Sequence, residues 1–227
     1  MNEAKQAVIF VAGGTGTRMG SALPKQFLTL NNTPILIHTL RKFHAFNPFF
    51  EMVVVMHQNY ISFWKDLCLQ FEHVPAHAVV AGGEERFHSV KNGLNVLSES
   101  VNSVAVHDAV RPLVSHETLQ RCFDALNENN AVVPAIPIND SIREVHGAEN
   151  KSVDRSLFKR IQTPQCFHAT VLKEAYNQPF SPLFTDDASV VEANGHSVFL
   201  VEGNLENIKI TSPIDLIVGE ALTANTK

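Results

Sequence analysis

Cysteine is scarce in this chain of 227 residues: Cys68, Cys122 and Cys166 are odd in number and more than forty residues apart. That spacing argues against a disulfide framework and a thiolate metal cluster, and it suits a reducing compartment. No segment approaches the roughly 20 consecutive apolar residues of a membrane helix. The opening MNEAKQ lacks the charge pattern of a signal peptide, so a cytoplasmic protein without membrane contact is expected. Positive charge is in the minority, 18 Lys and Arg against 23 Asp and Glu, for a net charge of −5. A general nucleic-acid binder is thereby disfavoured, although a local basic pocket fits within an acidic surface. Internal repeats, low-complexity tracts and linkers are missing too, which predicts a single domain over residues 1–227. With 44% hydrophobic residues, a chain of this length can bury about 70–75% of the surface its unfolded form exposes.

Motifs that would fix a chemistry at once are also missing. The stretch VAGGTGTRMGSALPKQF, residues 11–27, follows a buried apolar run and turns on glycines. A dinucleotide fingerprint needs a third glycine where Met19 stands, and the next apolar run, MVVVMH, ends without an acid for a ribose hydroxyl. A Walker loop needs Gly-Lys-Ser/Thr, whereas the lysine here arrives after a proline, in LPKQF. No serine sits in a nucleophile elbow and Cys166 has no evident activating partner. His73 and His77 have helix-like spacing, but Pro75 between them disfavours a metal site.

What is there is an alternation of short valine-rich runs with segments of helical period, the pattern of a mostly parallel sheet covered on both faces by helices. Strands are predicted at 7–12, 52–56, 77–80, 103–107, 131–136, 197–201 and 207–210. Leu36, Leu40 and Phe43 share one helix face; Phe87, Val90, Leu94 and Leu97 share a second; Leu119, Cys122, Phe123 and Leu126 share a third. The polar segment 139–156, with a turn signal at Gly147, reads as an extended hairpin. An isolated hairpin is marginal in water, so it is either an arm lying against a second copy of the chain or a mobile surface loop.

Ligands of open parallel sheets gather at the carboxyl ends of the strands. There the glycine loop supplies backbone N–H groups, and Arg18 and Lys25 supply a planar fork and a point charge, a set suited to a polyphosphate or to a structural turn alone. Gly82 and Gly83 follow another strand, with Ser89 opening the next helix. Asp108 follows SVAVH, as a ligand contact, helix cap or turn former, and Arg111 as a contact or a surface ion pair. Lys209, read as an inward lysine on a strand, needs a counter-charge, which a bound phosphate would supply. A missing nucleophile is informative if the substrate brings its own: a phosphate monoester, with a second pKa near 6, is largely ionised at pH 7.

Seven pieces in order carry a resemblance over nearly the whole chain: AGGTGTRMGSALPKQF, PILIHTL, GGEERFHSV, VHDAVRP, VDRSLFKRIQTPQCF, TDDASVVEANG and VEGNLENIKIT. The sequence resembles the 2-C-methyl-D-erythritol 4-phosphate cytidylyltransferases of the non-mevalonate isoprenoid pathway. The resemblance implies a Rossmann-like α/β nucleotidyltransferase fold with a protruding β-arm, and transfer of a cytidylyl group from CTP to methylerythritol phosphate with release of pyrophosphate. It implies cytidine-binding roles for Ala12, Gly13, Gly14, Gly16, Gly83, Glu84, Ser89 and Ala109. Arg18 and Lys25 match the pair that steadies the triphosphate during attack. Asp108, Arg111, Ser141, Arg155, Thr163 and Lys209 match positions around the second substrate, Arg155 and Lys209 those that position its phosphate. The family's arm reaches into the neighbouring subunit, implying a homodimer through 139–156, and Mg²⁺ is held mainly by the CTP phosphates rather than by protein ligands. Ser141 stands where many members have threonine, and Glu84 where aspartate is frequent. The sister ribitol 5-phosphate cytidylyltransferases share AGG, LPKQF, PILIHT and HDAVRP, and a non-catalytic nucleotide-binding protein of the same fold is a further alternative.

Overall fold

A computed structural model describes residues 5–14 and 23–224. The first apolar run forms β1 (Lys5–Ala12), whose residues alternate between two cores: Val8 and Phe10 face one side, Ala7 and Ile9 the other, all fully buried. A short hairpin, β2 (Thr29–Leu30) and β3 (Thr33–Pro34), leads into α1 (Ile35–Phe46). Then follow β4 (Glu51–Met56), α2 (Ile61–Cys68), β5 (Ala78–Ala81), α3 (Arg86–Leu94), β6 (Val101–Asp108), α4 (His116–Ala125) and β7 (Ala131–Pro137). The remainder is β8 (Arg143–His146), β9 (Glu149–Ser152), β10 (Lys159–Ile161), β11 (Gln165–His168), α5 (Ala169–Ala175), α6 (Asp187–Ala193), β12 (Phe199–Glu202) and α7 (Pro213–Ala224).

Eight strands form one sheet in the order β10-β7-β11-β6-β1-β4-β5, with β12 also paired to β7. β1 lies parallel to β4 and β6, β4 parallel to β5, and β12 parallel to β7, while β10 and β11 run antiparallel to their neighbours. The mostly parallel α/β architecture is therefore present. Helices α1, α2 and α4 cover one face through Leu36, Leu40, Phe43, Trp64, Leu119 and Phe123. Helices α3, α5 and α6 cover the other through Phe87, Val90, Leu94, Leu172 and Val191. Burial on both faces is why the strands read as continuous valine runs.

Three expectations need correction. Residues 207–210 form no strand, because no neighbouring strand pairs with them; Ile210 is instead a buried plug against Leu30, Ile35 and Val110. Strands β10 and β11 were not expected: the first is an exposed edge strand, KRI, and the second only four residues long. Leu97 is buried with the α3 stripe but lies beyond that helix's end. The 139–156 segment does hold a hairpin, β8 and β9, a two-stranded sheet of its own turning at Gly147, whose φ of 61° suits a residue without a Cβ. No helix among the described residues is long and apolar enough to cross a membrane.

Candidate active site

Where β1 and β6 end at their carboxyl edge, a cleft of about 250 Å³ opens. Ala12, Gly13, Gly14, Lys25, Gly83, Glu84, Ser89, Asp108 and Lys209 all line it, residues from five stretches of sequence. Lys25 sits on a single 3-10 turn, Lys25–Phe27, whose other two side chains are buried. Phe27 packs against Tyr60, Phe63 and Trp64. Gln26 donates from Nε2 to the Ala12 carbonyl at 2.7 Å, tying that turn to the end of β1. The lysine tail then crosses Gly14, where an added Cβ would sit 3.5 Å from Lys25 Cε.

The opposite wall is the 82–86 turn. Helix α3 begins at Arg86, so Ser89 stands one turn inside it rather than at its start. Its hydroxyl donates to the Glu85 carbonyl and accepts from the Gly83 N–H, both at 3.1 Å. A Cβ on Gly83 would lie 2.4 Å from His88 Cβ, so only glycine allows this approach of turn to helix.

Asp108, at the last position of β6, is the electrostatic centre. Its Oδ2 accepts from Arg111 Nε at 3.0 Å and pairs with Lys209 Nζ at 3.1 Å. Burial would raise its pKa, but Lys209, Arg86 and Arg111 together overcome that and hold the carboxyl well below the usual range. The counter-charge for Lys209 is thus a carboxylate of the same chain, and its side chain is 42% exposed rather than inward-facing on a strand. Beneath it, Asp108 N–H donates to Thr163 Oγ1 at 3.0 Å. The Thr163 hydroxyl is left to donate to His107 Nδ1, and His107 Nε2–H donates to the Arg111 carbonyl.

Other expected residues lie elsewhere. Thr163 is buried and faces His107, not the cleft. Ala109 is buried; its N–H donates to the Val11 carbonyl and its own carbonyl accepts from Thr39. Arg111 braces Asp108 from behind and donates from Nη1 to the Asn207 carbonyl at 2.8 Å. Ser141 and Arg155 belong to the arm and line none of the cleft; the Arg155 guanidinium donates to the Asn139 carbonyl. Gly16 and Arg18 fall outside the described residues.

Arg86 is a cleft residue that no sequence motif singles out. Arg86 makes a bidentate pair with Asp187, Nη1–Oδ1 2.8 Å and Nη2–Oδ2 2.6 Å, and Tyr176 donates its hydroxyl to the same Oδ1 at 2.6 Å. Asp187 is fully buried in the first turn of α6, which Asp186 and Ser189 start with a capping box. The D-x-x-S spacing of that box was the available signal.

His107 also sets a pH response. Complete burial lowers its pKa to about 4, and burial lowers those of His38 and His77. Once unfolded, each binds a proton below pH ~6.5, so the unfolded state gains protons first and stability falls as pH drops from there. His107 alone is expected to cost about 3 kcal/mol by pH 4, above most of the range in which carboxylates titrate. Melting temperatures from pH 7.5 to 4.5 should fall steeply for the natural chain and less steeply for His107→Gln; equal slopes would refute the assignment.

A sequence model of the 2-C-methyl-D-erythritol 4-phosphate cytidylyltransferase family matches residues 6–225. A Bacteroides thetaiotaomicron protein of that name is 48% identical over 96% of this chain and 99% of its own length. One from Porphyromonas gingivalis is 46% identical over 97% and 98%. Among solved structures, a 4-diphosphocytidyl-2C-methyl-D-erythritol synthase from Anaerococcus prevotii aligns with a TM-score of 0.82 at 26% identity, covering 97% of this chain and 96% of its own. A Thermus thermophilus 2-C-methyl-D-erythritol 4-phosphate cytidylyltransferase aligns at 0.78 with 30% identity over 97% and 99%.

Proposed function

The chain belongs to the 2-C-methyl-D-erythritol 4-phosphate cytidylyltransferase family, and from that premise we infer that it joins CTP to 2-C-methyl-D-erythritol 4-phosphate. The products are 4-diphosphocytidyl-2-C-methyl-D-erythritol and pyrophosphate. The observation that best supports this reading is the convergence of Lys25 and of Lys209, paired with ionised Asp108, on one glycine-walled cleft. An oxygen of the acceptor phosphate forms a bond to the α-phosphorus of CTP as the bond to the β-bridging oxygen breaks, and pyrophosphate carries away that electron pair. No general base is needed, because the acceptor phosphate, with its second pKa near 6, is already largely ionised at pH 7. Positioning and charge stabilisation are what remains for the protein to supply.

The turn around Gly83, Glu84 and Ser89, with Ala12, Gly13 and Gly14, forms the cytidine end, a role the family pattern also gives to Gly16 and Ala109. Lys25, joined by Arg18, steadies the triphosphate; Asp108, Arg111 and Lys209 lie toward the acceptor. Mg²⁺ would be held mainly by the CTP phosphates; the cleft also presents the ionised Asp108, a hard oxygen donor of the kind the ion accepts. When bound, it would offset repulsion between the two phosphorylated substrates.

The chain is read as one nucleotidyltransferase domain with an arm, and as a homodimer. Ser141 and Arg155 complete the acceptor site in the family pattern, with Thr163 behind Asp108, yet within one chain Ser141 and Arg155 stand on an arm that exposes Val145 and is followed by exposed Leu157 and Phe158. A partner's arm would bring them in. Mixing Arg155→Ala with Lys25→Ala subunits should then restore part of the activity that each lacks alone, since one site of a mixed dimer holds neither change. No recovery after verified subunit exchange would sink the shared site.

The deciding assay is pyrophosphate release with CTP and Mg²⁺, with methylerythritol 4-phosphate and ribitol 5-phosphate offered in parallel. Strong preference for the first is expected. Preference for the second would reassign the acceptor, and release with neither would overturn the enzymatic reading.

A further inference from the structure

Lys209 reaches the cleft from a segment that no strand supports, so something other than a ladder of backbone hydrogen bonds must fix it. Two residues before it, Asn207 is fully buried. Its Nδ2 donates to the Thr163 carbonyl at 2.9 Å. Its backbone carbonyl accepts from Arg111 Nη1 at 2.8 Å and from Gln162 Nε2 at 3.3 Å. Thr163 in turn receives the Asp108 N–H. Asn207 therefore joins all three charged groups at the acceptor end: Arg111 through its carbonyl, Asp108 through Thr163, and Lys209 through two peptide units.

Stability alone does not account for this residue. Its Oδ1 is buried and has no hydrogen-bond partner among the described residues. A buried acceptor left unpaired offsets much of what the donor side of the same amide contributes. We propose that Asn207 is a positioning residue for the acceptor phosphate, its amide clamping the 204–211 segment to Thr163 so that Lys209 and Arg111 meet at Asp108. The proposal rests on the functional reading above and adds to it a residue that touches no substrate. Asparagine suits the place because the Thr163 carbonyl requires a donor: aspartate, of the same shape, would set acceptor against acceptor.

Steady-state pyrophosphate release by the natural chain, Asn207→Asp and Asn207→Ser, with each substrate varied in turn, tests this. Asn207→Asp is expected to lower kcat/KM for the acceptor phosphate by about 30-fold or more and Asn207→Ser by about tenfold, with KM for CTP within about threefold of the natural value. Should the aspartate variant not fold, the uncharged serine variant decides. Either folded variant within about twofold of the natural chain toward the acceptor, or KM values for both substrates rising together as Tm falls, would overturn the proposal. An active natural chain with unaffected variants refutes the positioning role alone, whereas an inactive natural chain refutes the functional reading and this proposal with it.

Discussion

Lys25→Ala is expected to lower kcat by about 10²–10³, equivalent to about 2.7–4 kcal/mol of lost transition-state stabilisation, while leaving the fold in place. The asymmetry follows from how the residue is built in. Its turn is anchored by neighbours: Phe27 sits among Tyr60, Phe63 and Trp64, and Gln26 holds the Ala12 carbonyl. Truncating Lys25 removes none of those contacts. What is lost is a positive charge at the cleft wall, beside the glycines that would admit a triphosphate. Negative charge develops on the leaving pyrophosphate only as the α-phosphorus is attacked, so the loss should fall on kcat more than on CTP binding. Arg18→Ala should behave alike on the proposed sharing of the triphosphate charge between the two. Pyrophosphate release under saturating substrates, paired with thermal melting, checks both variants. A drop in Tm proportionate to the loss of activity would remove Lys25 from this role.

How much of this was legible in sequence depends on whether the determining contact was local. Strand β1 was readable because burial on both faces demands the uninterrupted AVIFVA, and the β8–β9 hairpin because its polar residues surround a turn glycine. Asp108 could be picked out because it stands at a strand end, where open parallel sheets collect ligands, and Lys25 because it follows the glycine loop, whereas Lys209 drew notice as the end of a strand that does not form. Lys209 also shows the limit. Ile208 and Ile210 alternate as in a strand, but a strand also requires a neighbour with free hydrogen-bonding groups, and period alone cannot reveal one. The Thr163 hydroxyl is committed to Asp108 and His107, a link between residues more than fifty positions apart that motif spacing does not reveal. Arg86 carries no local signal of its role, because its partner lies 101 residues away.

That distant pair should produce the largest change in stability. Asp187→Ala leaves the Arg86 guanidinium, 29% exposed, beside an apolar space and strands the Tyr176 hydroxyl, which is nearly fully buried. Removing one partner of a buried pair typically costs about 3–5 kcal/mol, which for a chain of this size corresponds to a Tm lower by on the order of 10 °C. Two opposing terms set that value: desolvating both charges is expensive, and the bidentate geometry with a third donor returns most of the cost. Removing both charges should therefore be far milder than removing one. In a Tyr176→Phe background, where no hydroxyl is stranded, Arg86→Met with Asp187→Leu is expected to recover most of the lost stability, and a double-mutant cycle on melting data measures the coupling. Strict additivity of the single losses would show that the charges do not act as a pair. Activity is expected to separate from stability in the double variant, because Arg86 lines the cleft and one of the charges that hold Asp108 ionised would be missing. A restored melting temperature with turnover still depressed would thus place the function of the pair in the site, with the staple between α3 and α6 as its means.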